Sequence, residues 1–315
     1  LRAGKGIRTE ETDDRVVYRA EFDGRLSYKD GTVSVEDVYA IKGDVSLATG
    51  NIRHKGTVIV SGDVREGATI ETDGNVMIKG MVEPSNIICG GDLIVGGGIL
   101  GDDEHAIEAG GAVQARYLND VTLRCGGDLT IVSQIDHSHV SALGRIDSPR
   151  GRVAGGVIKL YRGGRVGQAG AAGSTGTVIE IGANWRHEQE QTERRQRLQK
   201  LQDAREKLAK TINHAAQTGA LDDGRRESVL KLKAKLKQVD EALQAEAEAQ
   251  TRASHAAEAG ARRELGVLQQ TYPGVTFRIG QYQTLSDRHY EMPRLVALRR
   301  DKVRILPPGE LNQPE

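Results

Sequence analysis

Aliphatic residues recur at every second position in short bursts through residues 1–183, and each burst is set off by Gly. Val76-Met77-Ile78, Leu93-Ile94-Val95 and Leu129-Thr130-Ile131 each put two aliphatic side chains on one side and a single residue on the other. That is the period of a strand buried on one face. Strands of this length cannot bury an apolar face alone, so the pattern predicts stacking of one coil on the next. Aligning the second Gly of the opening motif gives Gly62, Gly74, Gly91, Gly111, Gly127, Gly144 and Gly164, at intervals of 12, 17, 20, 16, 17 and 20. The spacing is too irregular for a hexapeptide repeat and suits coils of three short strands with variable corners. Each of these glycines is expected at a corner with a positive φ, where a Cβ would clash.

The register also assigns the two cysteines. Two residues before the first six aligned glycines stand Val60, Thr72, Cys89, Ala109, Cys125 and Ala142, in phase with Val58, Ile70, Ile87, Ile107, Leu123 and Val140. Small and medium side chains in that phase describe an interior column, in which Cys acts as a small hydrophobe. With the Ala109 coil between them, the cysteine Cα atoms should lie roughly 9 to 10 Å apart at about 4.8 Å per coil. A disulfide needs less than about 7 Å. Two buried free thiols are therefore expected.

From Asn184 the period changes. "NWRHEQEQTERRQRLQKLQDAREKLAKTINHAAQ" has no Gly or Pro and is built of good helix formers, with Asn184 as N-cap and Glu188 and Glu190 in the early turns. "TGALDDG" interrupts it, and a second helix is expected from about Arg225 to Leu268. Val229, Leu232, Leu236, Val239 and Leu243 step by three and four; Leu198, Leu201, Leu208 and Ile212 offer the matching seam, interrupted by Arg205. A short connection favours an antiparallel coiled-coil hairpin, with arms of about 50 and 65 Å at 1.5 Å per residue. Beyond it, Val275–Gly280 alternates again, and "RLVALRRDKVRIL" reads as two strands around a turn at Arg300-Asp301. These strands should pair near Val178–Ile181, which makes the hairpin an insertion. The predicted organisation is residues 1–183 as lead-in strands and solenoid, 184–268 as the hairpin, and 269–315 as strands returning to the solenoid. Trp185, the sole tryptophan, is expected to pack where solenoid becomes arm.

Composition sharpens this division. Of 39 glycines, 32 lie in residues 1–183, about 12% in the whole chain against a usual 7% or so. The 44 basic and 44 acidic residues cancel, so no net field points to nucleic acid or an anionic membrane. Two cysteines in 315 residues fit a reducing compartment or thiols that never pair, and no apolar run suggests a membrane span or secretion leader. The first residue is Leu, which suggests a domain upstream.

Candidate chemistry reduces mostly to structure. Gly96-Gly97-Gly98 lacks the following helix and the Lys-Ser/Thr of a phosphate loop. Asp136-His137-Ser138-His139 offers two imidazoles without a third ligand nearby in sequence. Asp63, Asn75, Asp92, Ala112, Asp128, Arg145 and Arg165 share one aligned position, a freedom of exchange that fits turn hydrogen bonding better than paired acid catalysts. Lys231, Lys233, Lys235 and Lys237 spread around a helix and read as a solvated surface, while Arg294, Arg299, Arg300, Lys302 and Arg304 read as edge protection or a docking face. No catalytic, cofactor or metal site is assigned. An enzyme of the stacked-coil acyltransferase or polysaccharide-acting type is the alternative; the scarcity of aromatic residues disfavours sugar stacking.

Residues 41–83, "IKGDVSLATGNIRHKGTVIVSGDVREGATIETDGNVMIKGMVE", resemble the opening of the repeat region of the flagellar assembly protein A (FapA) family, most specifically over Gly43–Ile52. "GGDLIVGGGILG", "YPGVTFRIG" and the intervening helical segment fit the same layout. The resemblance implies a mainly β fold: a single-stranded parallel β-helix, right-handed, with an inserted antiparallel coiled coil and a domain normally preceding it. Its solenoid is similar to those of the division inhibitor MinC and the bactofilins. The resemblance further implies a non-enzymatic cytoplasmic scaffold with protein partners, among them flagellar or polar assembly factors, peripheral to the membrane or cell pole. Self-association through the solenoid ends or the arm is a further expectation.

Overall fold

The computed structural model describes residues 2–12, 15–21, 25–29, 31–173, 176–217, 223–256, 264–299 and 301–307. The chain divides into two compact units, residues 1–184 with 261–315, and residues 185–260.

In the first unit, a two-stranded antiparallel pair (Ile7–Thr12 with Arg15–Ala20) and a three-stranded sheet (Arg2–Ala3, Thr32–Glu36 and Arg25–Lys29) precede the repeats. A parallel solenoid with three faces follows. Face A climbs from Val38–Ile41 through Thr57–Val60, Val76–Ile78 and Leu93–Val95 to Gly164–Ala169 and Glu264–Thr271. Face B climbs from Ile52–His54 through Thr69–Thr72, Asn86–Cys89, Ala106–Ala109 and Thr122–Cys125 to Val178–Ile181 and Thr276–Ile279. Face C begins as single bridges, Val45 to Val64 to Val82 to Ile99, and later broadens into paired strands. Two strands, Leu129–Ala142 and Ile146–Leu160, run continuously through all three faces of their coils. Among the described residues each face carries nine levels.

Alternation explains the core. On face B the inward column runs Ile52, Ile70, Ile87, Ile107, Leu123, Val140, Ile158, Ile179 and Phe277, each at 7% exposure or less. Beside it stand Thr72, Cys89, Ala109, Cys125 and Ala142, paired level to level. Val60 belongs elsewhere: it lies on face A and pairs with Ile78. Val58 likewise pairs with Val76 on face A.

The corner glycines need the same correction. Gly91, Gly111, Gly127 and Gly144 each donate their N–H to the carbonyl of the glycine one level below, starting at Gly74. Gly62 stands in the next corner of its coil, in a column with Gly43, Gly80 and Gly97, so the interval of 12 is a partial turn. Gly164 lies two positions past the column, since Arg162 is the residue that bonds Gly144, and it pairs with Ile146.

The reason for glycine also differs from the expected one. Of the seven, only Gly164 has a positive φ, +135°. The others are required because the chain below passes too close: a Cβ on Gly127 would sit 2.6 Å from the Ala112 nitrogen and 2.8 Å from the Gly111 carbonyl carbon.

The Asp of the Gly-Asp pairs completes this device. Asp44 accepts the N–H of Asp63 (2.9 Å), Asp63 that of Met81 (2.9 Å), Asn75 that of Asp92 (2.8 Å), Asp92 that of Ala112 (2.7 Å) and Asp128 that of Arg145 (2.7 Å). In reaching up, each oxygen occupies the space a Cβ would need on the glycine above, as with Asn75 under Gly91 and Asp128 under Gly144. Gly and Asp recur together because one level's carboxylate fills the next level's vacancy.

The chain leaves the solenoid after Val178–Ile181 and returns at Glu264–Thr271, where Leu265 and Val267 are fully buried. The return comes before residue 269 because "ELGVL" alternates and Gly is a poor helix former. The second helix therefore ends earlier than its sequence period suggests, as far as the described residues run. The upper end of the solenoid carries reversed strands. Tyr282–Leu285 lies antiparallel on face B, and Arg294–Arg299 on face A, followed by Lys302–Leu306 around Asp301, φ +57°. Val296, Ala297 and Val303 are buried there, so this hairpin closes the interior.

In the second unit, helices α1 (Trp185–Gln217) and α2 (Asp223–Ala256) lie against each other. Leu198, Leu201, Leu208 and Ile212 on α1, and Val229, Leu232, Leu236, Val239 and Leu243 on α2, are half-buried between exposed neighbours. Ala204 continues the α1 stripe where Arg205 was expected to break it, and Arg205 turns outward to Asp240 at 2.6 Å. Trp185 is buried, with the Arg186 guanidinium 5.3 Å above its ring.

Candidate interaction surfaces

Both cysteines are buried free thiols, Sγ of Cys89 and Cys125 facing the Gly91 and Gly127 carbonyls at 3.5 and 3.6 Å. Burial, with a smaller contribution from Asp92 and Asp128, pushes each thiol up to about 12. An unfolded thiol ionises near 9.0, so stability is unaffected below that pH and is lost as pH rises from 9 toward 12. We expect neither thiol to react with a disulfide reagent in the native protein at pH 8, and both to react in guanidinium. The denaturation midpoint should fall above pH 9, and less steeply in Cys89→Ala/Cys125→Ala.

Other candidate groups are absorbed by the winding. In Gly96-Gly97-Gly98, the first two N–H groups bond Ile78 and Gly80, and the third leaves room for the Tyr117 ring. Asp136 pairs with Arg152 at 2.6 Å, and the buried Ser138 hydroxyl donates to the Asp136 carbonyl, while His137 and His139 point outward. Among the described residues no three His, Cys, Asp or Glu side chains converge on a metal position. No helix there is long and apolar enough to cross a membrane.

Charged groups instead tie levels together. The Arg65 guanidinium reaches Asp44 (2.8 Å), Asp63 (3.0 Å) and Glu83 (2.8 Å), spanning three levels. Arg65 holds the Glu83 carboxyl below its usual range; the Asp63 N–H, then Arg65, does the same for Asp44. An open cleft of about 810 Å³ at the first levels is lined by Asp37, Arg53, His54, Lys55, Glu71 and Asp73. There His54 Nε2 stands 3.1 Å from Asp37 Oδ1, out of line for a hydrogen bond.

The closing strands carry a second cluster. Tyr272 stacks on His289 at 4.5 Å, and the Arg288 and Arg294 guanidiniums lie 5.1 and 4.9 Å from the Tyr290 ring. Lys302 and Arg304 alternate outward on the last strand; Arg300 lies outside the described residues. Lys231, Lys233, Lys235 and Lys237 are exposed on α2.

The surface that sequence reasoning missed is the outward column of face B. It reads Arg53, Glu71, Ile88, Glu108, Arg124, Ser141, Lys159, Glu180 and Arg278, each paired with the next level. The signal lay three residues before the aligned glycines.

A parallel winding of nine levels among the described residues, with two helices inserted in the chain between Val178–Ile181 and Glu264–Thr271, defines a β-solenoid. The chain belongs to the FapA family: the model of the Flagellar Assembly Protein A beta solenoid domain matches residues 37–302. The match starts where the first coil starts. Neither the curated proteins nor the solved structures contain a significant match to the chain.

Proposed function

We propose that this protein is a non-enzymatic scaffold of flagellar assembly or polar organisation, cytoplasmic and peripheral to the membrane or pole, with protein partners. The rigid solenoid sets distances, and the helical insertion presents a recognition surface. Family membership supports the flagellar connection. The half-buried steps of three and four on α1 and α2, with the Arg205–Asp240 bridge, support an antiparallel coiled-coil hairpin. The preference of parallel crossovers for one hand supports right-handed winding.

The observation that carries this reading is the place of the insertion. Elsewhere three residues link face B to face A, as Gly126–Asp128 link Cys125 to Leu129 and Tyr161–Gly163 link Leu160 to Gly164. Ile181 occupies the level above Leu160, and Leu265 the level above Gly164. Removing residues 185–264 leaves Gly182, Ala183 and Asn184 as a corner of ordinary length. The helices are thus dispensable to the winding and call for another use.

That variant gives the test. In a flagellated host lacking its own copy, the full chain should restore flagellar number and placement, and the Δ185–264 variant should fold but fail to restore them. Normal flagellation without the gene would remove the flagellar reading. Full restoration by the deleted form would make the insertion a spacer.

A further inference from the structure

The outward column of face B is self-complementary when read in opposite directions. With a two-fold axis set between the Glu108 and Arg124 levels, Glu108 of one copy meets Arg124 of the other. Moving outward, Ile88 meets Ser141, Glu71 meets Lys159, and Arg53 meets Glu180. No like-charged pair arises over eight levels. All eight side chains are exposed or half-buried, and Ile88 keeps 47% of its surface in water. The companion outward residues, Thr69, Asn86, Ala106, Thr122 and His139, include no carboxylate, lysine or arginine, and most are small. They leave the face flat.

Within one chain Arg53 already bridges Glu71 at 2.9 Å. Glu108 and Arg124, and Lys159 and Glu180, are likewise neighbours along the column. Across the axis each such pair meets a reversed pair, so four alternating charges close into a square. Exposed ion pairs add little affinity singly, but opposed charge patterns fix register and exclude wrong alignments. Chain-wide neutrality hides a related asymmetry. Residues 37–121 hold thirteen acidic and six basic side chains, and residues 122–184 hold four and seven. An antiparallel arrangement places the acidic levels of one copy beside the basic levels of the other.

We propose that two copies of this chain pair face to face through face B, antiparallel about a two-fold axis, as a closed dimer. This rests on the scaffold reading for its biological use, though not for its chemistry. Eight levels at about 4.8 Å, by four residues at about 3.3 Å, give about 500 Å² per copy. The total of about 1,000 Å² is near the lower limit of specific interfaces, so the dimer dissociates readily. A two-fold contact is self-saturating and stops at two copies, unlike end-to-end stacking. The hairpin that closes the upper end points the same way.

Sedimentation velocity of the purified chain tests this at low and high salt. A reversible dimer should form at low salt and weaken as salt rises. Arg124→Glu/Lys159→Glu and Glu71→Lys/Glu108→Lys should each dimerise about tenfold more weakly or worse. Their equimolar mixture should form a heterodimer, because every crossed pair is then of opposite sign. Arg124→Gln/Lys159→Gln, which introduces no repulsion, should show an intermediate loss. Unchanged thermal unfolding of the variants shows that the fold is kept. A chain that stays monomeric at all concentrations, open-ended polymers, or a mixture that fails to associate would overturn the proposal. Since the readout is the purified protein's mass, failure here leaves the flagellar test untouched.

Discussion

Gly127→Ala should cost about 3 kcal/mol of stability, toward the upper end of what one added methyl does in a packed core. The methyl would meet backbone rather than a pliable side chain: the Ala112 nitrogen at 2.6 Å, the Gly111 carbonyl carbon at 2.8 Å and the Ala112 Cα at 2.9 Å. Relief requires lifting one level off another. That lengthens the bond from the Gly127 N–H to Gly111 and disturbs the next, from Gly144 to Gly127. Gly266→Ala is the matched control, because the nearest atoms to its added methyl lie 3.7 Å away or more. It should be neutral or slightly stabilising, as Ala loses less backbone freedom on folding. Chemical denaturation of the two variants separates the cases. Equal effects would mean that close stacking is not why glycine stands at these corners.

Phe277→Ala should cost about 4 kcal/mol. The ring is fully buried at the top of the face-B column, above Ile179 and beneath the closing strands. No neighbour below can collapse into the space, since Ile179 is held in register by Ile158. The loss should also be local. Stability in a stacked repeat is close to a sum of nearest-neighbour contributions, so hydrogen exchange should lose protection over residues 264–306 and Val178–Ile181. Residues 57–125 should keep theirs. Uniform loss along the chain would show the solenoid to be a single cooperative block.

Much of this was legible in sequence, for a physical reason. Alternation is a strictly local property, so the strands around Val76–Ile78 or Leu93–Val95 could be read from three residues each. Level-to-level register followed wherever a coil kept one Gly-rich corner, which placed Thr72, Cys89, Ala109, Cys125 and Ala142 together. It slipped at Gly62, because "SGD" and "DGN" look alike yet occupy different corners of one coil. It slipped again at Gly164, where the corner is drawn by Tyr161–Gly163 and the glycine has moved into the strand. The reason for the glycines could not be read at all, since it depends on what passes beneath them. Face B was obscured differently: a sum over the whole chain erases a pattern that exists only once the levels are stacked.

The closing hairpin gives the winding a mechanical direction. The upper end is latched by reversed strands, whereas among the described residues Val38–Ile41 and Ile52–His54 at the lower end pair with a strand on one side only. Under tension between its termini such a chain should yield from the bottom, one turn at a time, each releasing about 60 Å of contour from some 18 residues. The protein would pay out slack in nearly equal lengths while its upper turns keep their form.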